Sequence, residues 1–221
     1  MPAVLFDLDG TLHDRATGLK AFAQAQGREI GLDGCDHEQF VRRFIELDAR
    51  GYVHKELVYS TIAEEFRLGP SATVSGLVDS YLSTFAQFAV EMDGATRVLE
   101  QLKNRGFKLG IVTNGRTALQ TSVIQRLGFD SFTDGIAISE QVGAKKPDGR
   151  IFRHALHLVG GVAGSTIMIG DDFEADVRGA HAAGIRSVLF KGQHRSPATG
   201  AAMTMEEALD AVVTVLMQPA S

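Results

Sequence analysis

The sequence predicts an α/β fold: a parallel sheet core with helices on both faces, broken once by an inserted all-helical domain. Three observations carry this. Short, near-continuous apolar runs recur, each closed by a polar turn, as in strands buried on both faces. Helical spacing fills the intervals between them. One long stretch near the start holds helical spacing and no convincing strand.

Residues 4 to 8 read as the first buried strand, closed by Asp9-Gly10. Residues 15 to 92 then break the alternation, with apolar residues spaced for helices at Phe40, Phe44 and Leu47, at Leu57, Ile62 and Phe66, and at Leu77, Leu82 and Phe85. This block is predicted to be a helical domain inserted into a core made of residues 1–14 and 93–221. Val98, Leu99 and Leu102 give the next helix, ended by Gly106. Leu109 to Val112 form a strand running into Thr113-Asn114-Gly115, followed by a helix through Leu119, Val123, Ile124 and Leu127. Residues 135 to 139 are a weaker strand. Ile151, Phe152, Ala155, Leu156 and Val159 make a helix, with Pro147 and Asp148 as its start signals. Ile167 to Ile169 lead into Gly170-Asp171-Asp172, and a helix over 175–183 stops at Gly184. Residues 187 to 190 are the last expected strand. Thr204, with Glu207 three residues on, reads as a capping box for a helix through Met217, and residues 218–221 are expected to fray.

Composition narrows the class of function. A chain that is 44% hydrophobic and 22% charged is an ordinary globular one. Its net charge of −5, with scattered Lys and Arg, argues against a nucleic-acid polymer as partner but leaves room for a small anion in a locally positive pocket. No apolar run approaches the ~18 residues of a membrane span, and no signal peptide is visible. The single cysteine, Cys35, cannot form an internal disulfide. A cytoplasmic location is expected, and no oligomeric state is legible.

The aspartates carry the chemistry. Asp7 and Asp9 end the first strand, and Asp171 and Asp172 end the one at 167–169, so all four should collect at the carboxyl edge of the sheet. Like charges crowded there raise one another's pKa; either some stay protonated or a cation sits among them. Oxygen ligands without nearby His or Cys select a hard ion, and magnesium suits carboxylates plus a phosphate. One or two of the aspartates could instead be helix N-caps. Thr113-Asn114-Gly115 reads either as an anion cradle at a helix N-terminus or as a common turn. A Lys at 145 or 146 could offset a phosphate's charge.

Asp7-Leu8-Asp9-Gly10-Thr11-Leu12, Thr113-Asn114-Gly115, Lys146-Pro147 and Gly170-Asp171-Asp172 with Asp176 together resemble the signature motifs of the haloacid dehalogenase-like (HAD) hydrolase superfamily, over residues 4 to 184. The inserted block resembles that superfamily's cap domain, and Asp93-Gly94 departs from the Pro-Gly that relatives often carry. The resemblance implies a Rossmann-like core and a Mg²⁺-dependent phosphatase of the phosphoric-monoester class, acting through an aspartyl-phosphate on a small phosphorylated metabolite. A sugar phosphate, a phosphoglycolate-like acid and a nucleoside monophosphate all fit. It implies Asp7 as nucleophile and Asp9 as general acid and base. The Mg²⁺ ligands would be Asp7, the Asp9 backbone carbonyl and Asp171, with Asp172 less favoured. Thr113, the Asn114 backbone and Lys146 would hold phosphoryl oxygens; Asp176 would orient a water or Lys146, and Gly10 would let the chain turn beneath the phosphoryl group. Lys146 is chosen over Lys145 because it directly precedes the proline.

The rivals are a phosphomutase on the same site, a carbon–halogen hydrolase, against which Asp9 and Asp171 argue, and a phosphate-binding module without turnover. His154 and His157 share a helix face but lack a third metal ligand. His13 is expected to be a solvated hinge residue, and most of the basic residues between 42 and 67 solvated helix faces.

Overall fold

The computed structural model describes residues 2–192 and 197–217, so the fraying expected at 218–221 lies outside the described residues. The chain divides into two compact units, Met1–Asp14 with Glu91–Ser221, and Arg15–Val90.

The Arg15–Val90 unit contains helices α1 (Arg15–Glu29), α2 (Gly34–Asp48), α3 (Lys55–Glu65) and α4 (Val74–Thr84), and no strand. Aromatic rings fill its centre: Phe22 lies 5.3 Å from Tyr81, 5.9 Å from Phe85 and 6.0 Å from Phe44. Phe40 and Phe44 are buried as their spacing predicts, but Leu57 is 62% exposed and Leu82 only half-buried. The reason is periodicity. Leu57 and Ile62, like Leu77 and Leu82, stand five apart, which a helix does not place on one face. Val58, Tyr59 and Ile62 line α3 instead, and Leu77, Val78 and Tyr81 line α4.

Asp48 ends α2 fully buried. Its carboxylate accepts from Arg15 at 2.7 and 3.0 Å, from the Gly51 N–H at 2.8 Å, and pairs with Lys55 at 2.6 Å. Burial alone would raise its pKa, but the two cations hold it below the ordinary carboxylate range.

In the other unit, β1 (Ala3–Phe6), β2 (Lys108–Thr113), β3 (Gly135–Ile138), β4 (Thr166–Gly170), β5 (Arg186–Phe190) and β6 (Gly200–Ala202) form one parallel sheet in the order β3-β2-β1-β4-β5-β6. This is the Rossmann-like order, with its switch point between β1 and β4. The central strands are covered on both faces, so apolar residues fill their middles, and all four residues of β1 are buried. Strand β6 has no counterpart among the expected strands. Gly200-Ala201-Ala202 lacks any β-branched or aromatic residue, and it is a strand because β5 pairs with it.

Helices α5 (Ala95–Asn104), α6 (Thr117–Arg126), α7 (Ser139–Val142), α8 (Gly149–Val159), α9 (Gly179–Ala182) and α10 (Met205–Met217) complete this unit. Leu5, Val112 and Met168 pack with Ile151, Phe152 and Ala155 of α8 and with Ala180 of α9. Alternate strand residues, among them Val4, Phe6, Ile111 and Ile169, are equally buried and point to the opposite face. Helix α10 begins as its sequence predicts, with the Thr204 hydroxyl accepting from the Glu207 N–H at 3.2 Å. The Glu207 carboxylate reaches one residue further back than a capping box requires, to the Met203 N–H at 2.7 Å. The helix expected over 175–183 begins earlier, as a π-helical segment Phe173–Arg178 that passes into α9. Among the described residues no helix is long and apolar enough to cross a membrane.

Candidate active site

Three strand ends assemble the site. The ladder sets Phe6 level with Ile111 of β2 and with Ile169 of β4. Asp7 extends the ladder by one residue, its N–H donating to the Ile169 carbonyl at 2.8 Å. Asp7, Thr113 and Asp171 therefore emerge together at the carboxyl edge, beside the switch point.

Lys146 enters this edge from the loop before α8, immediately preceding a cis Lys146–Pro147 bond. The residue is 4% exposed, and its ammonium lies between two buried carboxylates, 2.5 Å from Asp7 Oδ1 and 2.7 Å from Asp176 Oδ1. Lys145 is exposed. A side-chain clasp sets the loop: Asn114 Nδ2 donates to the Lys146 carbonyl at 3.1 Å, and the Lys146 N–H donates to Asn114 Oδ1 at 2.8 Å. Thr11 Oγ1 stands 3.5 Å from the other Asp7 oxygen.

Carboxylate oxygens of Asp7, Asp171 and Asp176 lie within 4.8 Å of one another. Burial pushes the Asp7 carboxyl above its ordinary range against the pull of Lys146, and the Asp9 charge adds to the push. Burial likewise carries Asp176 up to about 7, with Lys146 opposing and Asp7 assisting. Burial works against the Lys146 charge, but Asp176 and Asp7 together hold its ammonium above the ordinary value. Three carboxylates facing one ammonium are short of positive charge, and their donors are all oxygen, so a hard divalent cation fits the group. The backbone leaves room for this cluster. Gly10 adopts φ +93°, and a Cβ there would lie 2.5 Å from Asp171 Oδ2.

Asp172 is turned elsewhere. Its Oδ1 accepts from the N–H groups of Glu174 and Ala175 at 2.9 and 2.8 Å, capping the π-helical segment. In return Asp176 Oδ2 accepts from the Asp172 N–H at 3.0 Å, which fixes Asp176 for its contact with Lys146.

Asp9, two residues beyond Asp7, has a different setting. His13 Nδ1 lies 2.7 Å from its Oδ1, and Gln120 Nε2 donates to its Oδ2 at 3.2 Å. Two readings of the sequence are corrected here. His13 is fully buried, not solvated, because its backbone closes a tight turn: its N–H donates to the Leu8 carbonyl at 2.8 Å and its carbonyl accepts from the Gly10 N–H at 2.9 Å. Two backbone N–H groups at the entry to α6 that the cradle reading counted as free are also engaged. The Gly115 N–H donates to Ser139 Oγ at 3.0 Å and the Thr117 N–H to Glu140 Oε2 at 2.7 Å.

Gln120 is the residue that sequence reasoning passed over. It is 3% exposed, whereas the neighbouring Leu119 is only half-buried. The available signal was position: Gln120 precedes Val123 and Ile124 by three and four residues, which puts an amide in the buried row of α6. His154 and His157 are exposed, and no metal-ligating group among the described residues includes them.

The sequence pattern of the haloacid dehalogenase-like hydrolases matches residues 4–190 of this chain. The chain is 34% identical over 214 residues to a ribulose-1,5-bisphosphate 5-phosphatase from Halopiger xanaduensis, covering 90% of this chain and 89% of that one. It is 28% identical over 200 residues to a glyceraldehyde 3-phosphate phosphatase from Methanothermobacter thermautotrophicus, covering 87% of each. The crystal structure of a HAD phosphatase from Thermococcus onnurineus superposes with a TM-score of 0.65 at 25% identity, over 95% of this chain and 97% of that one. With the fold, the motif residues and the length of the match in agreement, the chain belongs to the haloacid dehalogenase-like hydrolase family.

Proposed function

We propose that this chain is a Mg²⁺-dependent phosphatase that hydrolyses a small phosphorylated metabolite through an aspartyl-phosphate on Asp7. The observation that carries the reading is the difference between two neighbouring carboxylates. Asp7 is buried against Lys146 among Asp171 and Asp176, while Asp9 stands apart on His13 and Gln120. One is set for attack at phosphorus and the other for proton transfer.

The Asp7 oxygen that Lys146 does not hold attacks phosphorus, and the bond to the leaving oxygen breaks as Asp9 hands that oxygen its proton. Water then attacks the aspartyl-phosphate and gives a proton to the Asp9 carboxylate. Phosphate departs and the Asp7 carboxylate is restored. Thr113, the Asn114 backbone and Lys146 hold the phosphoryl oxygens as charge builds on them. Asp176 keeps Lys146 in place. Asp7 and Asp171, with the Asp9 backbone carbonyl, would hold Mg²⁺, which when bound offsets the charge of both the attacking carboxylate and the phosphate. Asp172 is poorly suited to that shell because its carboxylate caps a helix.

Relatives are named for sugar-phosphate, phosphoglycolate and pyrimidine-nucleotide substrates alike, so all three classes are candidates. The test is a panel of phosphorylated metabolites with p-nitrophenyl phosphate as generic probe, read as kcat/KM. Turnover should vanish with EDTA and return with Mg²⁺, without a phosphorylated activator. Activity that survives chelation would remove the metal, and a strict need for a phosphorylated activator would point to a phosphomutase.

A further inference from the structure

We propose that Gln120 is a positioning residue whose side-chain amide aims the Thr113 hydroxyl proton at the phosphoryl group and holds the Asp9 carboxyl. The inference rests on the phosphatase reading and adds to it a residue outside the four motifs.

Gln120 Nε2 lies 2.7 Å from Thr113 Oγ1, 3.2 Å from Asp9 Oδ2 and 3.4 Å from the Asn114 carbonyl. An amide nitrogen carries two hydrogens and accepts nothing. The orientation of the amide is set by the Asn114 backbone carbonyl, which can only accept; the opposite flip would bring Oε1 against it. The short contact to Thr113 is therefore a bond in which the hydroxyl oxygen accepts. A hydroxyl has a single hydrogen, and this geometry forbids Thr113 from giving it to Gln120. That hydrogen stays available for a phosphoryl oxygen.

The surroundings are built for this side chain. Its position in the buried row of α6 prevents water from substituting for it, so the amide must find protein partners. A Cβ on Gly115 would lie 2.8 Å from Gln120 Cγ and 2.9 Å from Cδ, so the glycine of the Thr-Asn-Gly turn is what admits the glutamine. The second amide hydrogen reaches Asp9, whose other oxygen is held by His13. One amide thus links the phosphate cradle to the general acid.

The test compares wild type, Gln120→Met, Gln120→Glu, Thr113→Val and the Gln120→Met/Thr113→Val double variant on p-nitrophenyl phosphate with Mg²⁺. Gln120→Met keeps the volume and loses both donors; kcat should fall roughly 10- to 100-fold while KM moves less than about threefold. Gln120→Glu fills the same space and should fall at least as far, because a carboxylate takes the Thr113 proton for itself and faces Asp9. The cost of Gln120→Met should shrink in the Thr113→Val background, as expected of a residue acting through another. A folded Gln120→Met or Gln120→Glu protein with kcat within about twofold of wild type would overturn the proposal, as would an equal cost in both backgrounds. Should Gln120→Met fail to fold, Gln120→Glu decides alone. A wild-type protein inert toward every phosphomonoester would sink the phosphatase reading, a separate result.

Discussion

Two carboxylates separated by one leucine meet opposite environments. Asp7 lies 2.5 Å from a lysine that another aspartate also holds, and Asp9 takes its partners from an imidazole and an amide. Sequence alone places both at a strand end but says nothing of these partners, because Lys146 is 139 residues from Asp7 and Gln120 is 111 from Asp9. His13 shows why the immediate surroundings resist prediction. A histidine just past a catalytic turn reads as solvated, yet backbone bonds to Leu8 and Gly10 fold it inward. If Asp9 donates the proton to the leaving oxygen, Asp9→Asn should lower kcat about 10²- to 10⁴-fold with KM nearly unchanged. Steady-state kinetics on a phosphomonoester decide this; a rise in KM alone would contradict the assignment.

At the scale of elements, strands were legible where both faces are buried and helices where apolar residues fall three and four apart. The five apolar strands declare themselves; β6 does not, since its partner makes it a strand. Leu57 misled because a spacing of five was read as a helical face. The Arg15–Val90 unit also depends on an ion cluster that periodicity cannot reveal, Asp48 with Arg15 and Lys55. Replacing a buried carboxylate that answers two cations should destabilise the protein by about 3 kcal/mol at neutral pH in the Asp48→Asn variant. The pH dependence has a definite sign. The folded pKa of Asp48 lies below its unfolded value of about 3.9, so its contribution is complete above that value and is lost as pH falls through the folded one. Urea unfolding of wild type and Asp48→Asn should therefore show a gap that is constant near neutrality and narrows below about pH 4. A gap that widens on acidification would refute the account of the cluster.

For the whole molecule, the sheet order does the assembling. The chain leaves β1, builds β2 and β3 to one side, and returns to β4 on the other, which brings the ends of β1, β2 and β4 to a common edge. Residues from both ends of the chain thus come within bonding distance on a rigid support. Asp7, Thr113 and Asp171 could be placed at that edge from sequence because each directly follows an apolar run. Asp176 is placed there only by the family resemblance, and Gln120 only by its spacing from Val123 and Ile124 in the buried row of α6. The central claim is that Asp7 carries the phosphoryl group between the two half-reactions. It is tested most directly by mixing enzyme, Mg²⁺ and a radiolabelled phosphomonoester, quenching in acid within the first turnovers, and mapping the labelled peptide by mass spectrometry. The account predicts a hydroxylamine-labile phosphoryl group on Asp7, absent from the Asp7→Asn variant. Label on any other residue, or wild-type turnover by Asp7→Asn, would contradict it.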